Sequence, residues 1–198
     1  MYFETGRDNS KYYAHKDNNS PPHFHQSVEL LYVLRGEKTV LVGDKQYVLH
    51  PNDMLVCAPY VMHRFSPCEQ GEQMVATCPT EYCSQFEKLC ETMQPSTPVF
   101  HDSLQELLPA FTALKACDND VLFTGIINTI LGKFMEKVPF VPIQNNKEQS
   151  LYKHSKLTCH PHLSNTTPMC HMAKVVCLLK PGFSSVQSLS HVRLFATP

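Results

Sequence analysis

The chain has 198 residues, of which 42% are hydrophobic, and its formal net charge at pH 7 is −1. This length accommodates one domain, or one domain with a small attachment, and the apolar fraction is sufficient for a buried core. No apolar run approaches about 18 residues, and the N-terminus lacks a basic segment followed by an apolar one, so we expect neither a membrane span nor a secretory signal. The nine cysteines are odd in number and irregularly spaced, which favours free thiols in a reducing cytoplasm.

Taken in chain order, a polar arm (residues 1–21) precedes a series of short apolar segments. These segments predict strands at about 28–35, 37–42, 46–50, 54–58, 63–66 and 72–77. Turn residues separate them, with Gly43 at a tight hairpin and Pro51-Asn52 at the next connection. Closely spaced strands of this kind predict a sandwich or a barrel.

The first strand region contains the candidate functional side chains. His23, His25 and Glu29 all lie at odd positions, so a continuous strand would place them on one face. The even positions from Phe24 to Leu34 are mainly apolar, which predicts a strand covered on both sides. We interpret it as a barrel wall whose lumen receives the histidines and the glutamate.

From Pro79 onward the apolar period becomes helical. Thr80 is an N-cap candidate for a helix that ends near Cys90, and Asp102 or Ser103 for a helix from Leu104 to Leu114, which Pro109 would kink or divide. Asp118 is the candidate for a third helix, whose apolar residues are Val121, Leu122, Ile126, Ile127, Ile130, Leu131 and Phe134. Strands followed by helices predict the α+β class.

The spacing His23-x-His25, three residues, Glu29, six residues, Gly36 resembles the first cupin motif. A looser second motif comprises Gly43, Pro51 and His63, with Asn52 where the family prefers glycine. Around these motifs, Glu29–Gly36, Tyr47–Asp53 and Ala58–Phe65 resemble the effector-binding and dimerisation domain of AraC-type bacterial transcription regulators. The resemblance covers about residues 15–142.

The resemblance implies a cupin-like double-stranded β-helix, a jelly-roll barrel, followed by two or three helices. Residues 1–78 would form the arm and barrel, and residues 79–142 a helical segment that makes a homodimer. The implied function is sensing of a small polar effector such as a sugar, without enzymatic activity or a cofactor. The expected ligand-binding residues are His23, His25, Glu29, Arg35 and His63. Further hydrogen-bonding candidates are Tyr32, Lys38, Tyr47, Tyr60 and Arg64.

An alternative function is a metal-dependent cupin enzyme that acts on a small polar substrate. His23, His25, Glu29 and His63 could then hold Fe, Mn, Ni or Zn. Without a metal, the histidines would be polar lining at the mouth of the barrel. The degraded second motif favours the sensor.

The apolar stripe of the third helix, which includes Ile127 and Leu131, fits two roles equally well: the core of its own domain or the dimer contact.

Residues 143–198 differ in kind from the rest. They carry a net charge of +5, against −6 for residues 1–142, and show no sustained period. An AraC-type regulator would continue here into two helix-turn-helix units, and this segment does not supply them. We therefore expect DNA contact only through a domain absent from this sequence, and a disordered or artefactual tail whose end resembles a translated SINE-type repeat.

Overall fold

A computed structural model of the chain describes residues 2–3, 11–15, 19–67 and 71–143. The strands in these ranges are β1 Tyr2–Phe3, β2 Lys11–His15, β3 Ser20–Phe24, β4 Val28–Arg35, β5 Lys38–Val42, β6 Lys45–Leu49, β7 Asp53–Cys57, β8 His63–Phe65, β9 Glu72–Cys78, β10 Met93–Pro95, β11 Val99–His101 and β12 Phe140–Pro142. The helices are a short 3-10 helix Thr80–Cys83, α1 Ser84–Leu89, α2 Leu108–Leu114 and α3 Asp120–Lys137.

Two five-stranded sheets form the barrel. One has the order β1-β3-β8-β5-β6 and the other β11-β7-β4-β9-β2, while β10 and β12 form a separate pair. From β1 to β9, strands that follow one another along the chain alternate between the two sheets, except for the hairpin of β5 and β6. The predicted cupin fold, a jelly-roll barrel followed by helices, is confirmed.

Strand β4 is covered on both sides, as its composition predicts. Its odd residues Leu31 and Val33 belong to an apolar cluster between the sheets, which we call the lumen cluster. The other members of the lumen cluster are Val40, Leu49, Leu55, Cys57, Phe65 and Val75. The even residues of β4, Leu30 and Tyr32 among them, pack in a second cluster that includes α2 and α3.

Positive backbone φ angles occur at the predicted turns. Gly36 has φ 78° between β4 and β5, and Gly43 has φ 62° between β5 and β6. Asn52 stands where the cupin motif prefers glycine and adopts φ 70°. Asparagine tolerates this left-handed conformation better than other side chains, so the departure from the motif costs little.

The first two predicted helices begin later than expected. Thr80 opens a 3-10 helix and not an α-helix, and no side chain caps α1. Leu104 is 77% exposed and lies outside α2, which begins at Leu108 with Pro109 in its first turn. A proline there lacks only an N–H that would have no helical partner, so it neither kinks nor divides the helix.

Helix α3 packs by its central stripe onto the barrel. Asn119, one residue after the predicted cap, accepts from the Leu122 backbone N–H at 3.0 Å. Ile127 and Leu131 are fully buried in their own domain, so their role in a dimer contact is excluded and the core role holds. Val121 and Leu122, predicted with that stripe, are 82% and 57% exposed.

The chain divides into two units, Met1–Ile143 and Gln144–Pro198. The second unit, and with it the expectations for the tail, lies outside the described residues. The assignment of a barrel domain and a helical dimerisation segment stays a prediction. Among the described helices, none combines the length and apolar character that crossing a membrane requires.

Candidate functional site

The path of the chain differs from the continuous strand predicted for residues 23–33. Strand β3 ends at Phe24 in one sheet and β4 begins at Val28 in the other. Between them the chain crosses the barrel, and the His25 carbonyl accepts from the Tyr60 backbone N–H at 2.8 Å. The prediction that one continuous strand carries His23 and Glu29 on a single face is therefore wrong, because the two residues lie on different strands.

The crossing nevertheless brings the four predicted side chains together. His23 pairs with His63 across β3 and β8, while Glu29 projects from the facing sheet. One ligand atom from each of His23, His25, Glu29 and His63 lies within 4.8 Å of all the others, and all four residues are buried. The His63 ring is 4.2 Å from the His23 ring and 5.0 Å from the His25 ring, measured between centroids.

Each histidine is held by its Nδ1 atom on a backbone carbonyl. The acceptors are Pro21 O at 2.8 Å for His23, Ser27 O at 2.9 Å for His25, and Val61 O at 2.9 Å for His63. A carbonyl oxygen can only accept, so Nδ1 carries the hydrogen in all three rings. The Nε2 atoms are therefore directed into the cluster, an arrangement typical of histidines that bind metals.

Glu29 is the single acid of the cluster. Its Oε2 lies 2.8 Å from His25 Nε2, a distance that requires a proton between the two atoms. The same oxygen lies 3.6 Å from His63 Nε2, which is too long for a hydrogen bond. His63 Nε2 is buried and lacks a hydrogen-bond partner among the described residues.

These residues fit a first-row metal ion. Three imidazole nitrogens and one carboxylate are a donor set that Fe, Mn, Ni and Zn all accept. Ligand atoms at about 2.1 Å from a common ion lie no more than about 4.2 Å apart, so the observed 4.8 Å spread requires a contraction of about half an ångström. The unpartnered His63 Nε2 is the atom that such a contraction would satisfy.

Two lumen residues flank Glu29 in the sheet. Cys57 and Thr77 are its register partners on β7 and β9, and both are buried. Burial and, to a smaller extent, the Glu29 charge raise the pKa of the Cys57 thiol well above its usual value. Cys57 is therefore a protonated thiol next to the cluster and not a thiolate ligand.

The remaining predicted residues do not join the cluster. Arg35 was expected among the ligand-binding residues, but its side chain is 69% exposed and lies 3.7 Å from Glu72. The register of β4 against β9 is irregular between Val33 and Arg35, which removes the alternation that would have turned Arg35 inward. Of the other candidates, Tyr32 faces the helices, Lys38 is fully buried, Tyr47 and Tyr60 are half-buried, and Arg64 is exposed.

Sequence reasoning missed one polar lumen residue, Gln73 on β9. It is 1% exposed and its Nε2 lacks a hydrogen-bond partner within the described part of the chain. Gln73, Val75 and Thr77 alternate along β9 with Met74, Ala76 and Cys78 of the opposite face. That alternation was available in the sequence as a signal of an inward-facing amide.

Comparisons with known proteins agree with the fold. Residues 12–78, about one third of the chain, match the family model of the cupin domain. An RmlC-like cupin from Shewanella frigidimarina NCIMB 400 is similar at 26% identity, over 36% of this chain and 68% of that one, with a TM-score of 0.31. No curated protein gives a significant match.

Two solved regulators are similar over more of the chain. ToxT from Vibrio cholerae strain SCE256, solved with an unsaturated fatty acid bound, is 9% identical over 89% of this chain and 71% of that one, with a TM-score of 0.49. The AraC-like transcriptional activator CuxR is 12% identical over 76% of this chain and 57% of that one, with a TM-score of 0.46.

Proposed function

We propose that this chain is a metal-binding cupin sensor, the effector-binding part of an AraC-type regulator. A divalent first-row metal ion would be held by His23, His25, Glu29 and His63. The observation that carries the metal assignment is the set of three Nδ1–carbonyl bonds, which directs three Nε2 atoms toward one carboxylate in a buried cluster. The effector is a small polar molecule, with a sugar as the first candidate.

The chain's own residues have distinct roles in this proposal. The carbonyls of Pro21, Ser27 and Val61 fix the orientation of the three rings, so only the small contraction of the cluster remains for metal binding. Burial of the cluster keeps bulk water away and strengthens polar contacts within it. A bound ion would supply a Lewis-acidic centre for the oxygen atoms of an effector.

Support for a sensor comes from the sequence around the motifs and from the position of β4. Glu29, Leu31 and Val33 face the lumen, while Leu30 and Tyr32 contact the helical layer. Because this strand contacts the helical layer directly, a shift of the strand on effector binding would be transmitted to α2 and α3. The dimer and the DNA contact of a regulator belong to the same proposal, with DNA bound by a helix-turn-helix domain.

A second candidate is a metal-dependent cupin enzyme acting on a small polar substrate. It is favoured by the complete set of three histidines and one glutamate, because a sensor of organic ligands does not require four metal-capable groups. The two candidates differ in one respect that can be measured, which is whether the bound molecule is consumed.

The metal is tested first, on the purified full chain. We expect about one equivalent of metal by elemental analysis, and a rise in Tm when Zn²⁺, Mn²⁺, Ni²⁺ or Fe²⁺ is added to chelator-treated protein. His63→Ala should abolish both. His50→Ala is the matched control, since its imidazole is 57% exposed and pairs with Glu37 at the surface. Equal metal content in both variants would refute the assignment.

The effector is tested on the metal-loaded chain. Sugars and small hydroxy acids are screened by titration calorimetry, and each binder is then incubated and followed by NMR. Saturable binding with the molecule recovered unchanged supports the sensor. Conversion of the molecule, lost in His63→Ala, would refute the sensor and support the enzyme.

A further inference from the structure

The lumen has a second polar region, formed by Lys38 and Gln73. Lys38 alternates along β5 with Val40, and Gln73 along β9 with Val75; both valines belong to the lumen cluster. Lys38 and Gln73 therefore face the lumen, and their exposed fractions are 0% and 1%. Neither residue belongs to the histidine cluster.

The strand register places both residues at the end of the barrel opposite the histidines. On β9, Thr77 pairs with Glu29 while Gln73 pairs with Val33, four residues further along β4. On β5, Val42 pairs with His63 and Lys38 lies four residues away. Four residues of strand span about 13 Å. The turn at Gly36 joins β4 to β5 at this same end.

The two side chains present hydrogen-bond donors. Lys38 brings an ammonium group, which has other interactions within the protein. Gln73 brings an amide whose Nε2 is buried and lacks a partner among residues 19–67 and 71–143. A buried donor without an acceptor destabilises the fold, so this amide points to an acceptor outside the described part of the chain.

We propose that Lys38 and Gln73 form a subsite for the carboxylate of an organic acid. A positive charge and an amide N–H at the same end of the lumen suit a carboxylate, and charge-assisted hydrogen bonds are the strong ones. From this subsite the walls toward the histidines are apolar and include Val40, Phe65 and Val75, which suits a hydrocarbon body. The proposal makes an organic acid, and not a sugar, the first candidate for the effector. It rests on the proposed use of the lumen as a ligand site, but it does not require the metal.

The test uses the full chain with butanoate and hexanoate, and with butan-1-ol and hexan-1-ol as uncharged counterparts. We expect the acids, and not the alcohols, to raise Tm and to bind measurably by calorimetry, with chelator present as well as with Zn²⁺. Gln73→Leu and Lys38→Met should each weaken binding about tenfold or more. Gln46→Leu and Lys45→Met, at exposed positions on β6, should leave the Kd unchanged.

Gln73→Leu also distinguishes loss of ligand binding from failure to fold. It removes an unpartnered amide, so its Tm without ligand should equal or exceed that of the parent. Absence of carboxylate binding to the parent, or equal affinity in Gln73→Leu, overturns the subsite. Metal content is measured on the same samples: metal without carboxylate binding refutes only the subsite, and carboxylate binding without metal refutes only the metal site.

Discussion

His25 Nε2 lies 2.8 Å from Glu29 Oε2, although the chain passes from one sheet to the other between these two residues. The contact joins the glutamate on one sheet to the histidines on the other side of the barrel. It requires one proton, since His25 already donates from Nδ1 to the Ser27 carbonyl. A metal ion at the cluster would replace that proton, because metal ligands bind in their deprotonated forms.

Replacing Glu29 by glutamine tests this relationship. The amide fills the same space and can donate to the His25 Nε2 lone pair, so we expect the chelator-treated variant to keep its fold, with Tm within a few degrees of the parent. Loss of the cluster's carboxylate should weaken metal binding by about 100-fold or more, the upper limit of what outer partners of metal ligands usually contribute. Calorimetric titration with Zn²⁺ measures this. Parental affinity in the variant would show that Glu29 is not a ligand.

Helix α3 has both buried and exposed apolar residues, so substitutions on it distinguish core positions from surface positions by their effect on stability. Ile127→Glu or Leu131→Glu buries an unpaired charge, which should cost about 4 kcal/mol or more and unfold much of the protein. Val121→Glu, at an 82% exposed position, should change stability by about 0.5 kcal/mol or less. Urea denaturation followed by circular dichroism compares the three.

The same variant tests the proposed homodimer. If the exposed part of α3 that carries Val121 and Leu122 is the contact, a glutamate at position 121 should convert the dimer into a folded monomer. Sedimentation velocity distinguishes the two states. A parent that sediments as a monomer, or a folded Val121→Glu dimer, would exclude this surface.

Asp102 connects the barrel to the helical layer. Its carboxylate accepts from the backbone N–H groups of Glu106 and Leu107 at 3.0 and 2.9 Å, and from the Tyr32 hydroxyl at 3.2 Å. Tyr32→Phe removes one bond and should cost about 1 kcal/mol, whereas Asp102→Ala leaves several donors unsatisfied and should cost about 3 kcal/mol. Urea midpoints at constant m-value give both numbers. Equal costs would mean that the backbone bonds contribute nothing.

The cysteines should differ sharply in reactivity at pH 8. The hydrogen bond from Cys78 Sγ to Cys83 Sγ, at 3.8 Å, together with burial raises the pKa of Cys78, and burial raises that of Cys90 to about 12. Only a thiolate reacts, so both should stay unmodified by iodoacetamide in the native chain. Half-buried Cys117 should be labelled. Peptide mapping compares native with denatured protein, and rapid native labelling of Cys78 would contradict the buried position of β9.

The sequence predicted the strands because glycine and proline turns separate them. Gly43 and the Pro51-Asn52 pair mark connections that the structure shows within one or two residues of the expected positions. It also identified all four residues of the histidine cluster, since the spacing is specific. It could not show the crossing at Gln26, because a strand that changes sheets keeps the same alternation on each side of the break.

The helix boundaries were harder to predict because local side chains compete as caps. Asp102 or Ser103 was predicted to cap the second helix, but no side chain caps α2. Asp102 accepts instead from the backbone N–H groups of Glu106 and Leu107 directly before α2, and Leu104 lies outside the helix. Phe123, which is buried, was overlooked in favour of Val121 and Leu122. A nearly continuous apolar run in the sequence does not indicate which of its residues will face the core.

Strand β4 has no side that faces water between Val28 and Val33, where every residue is buried. Most strands of antiparallel sheets tolerate polar substitution at every second position, because one face is wet. A saturation mutagenesis profile across β4 should therefore lack this two-residue rhythm and show an unbroken block of intolerance. Sequence variation at β4 among natural relatives should be restricted in the same way. The lumen-facing positions of this strand are constrained by the lumen cluster, and the other positions by the helices.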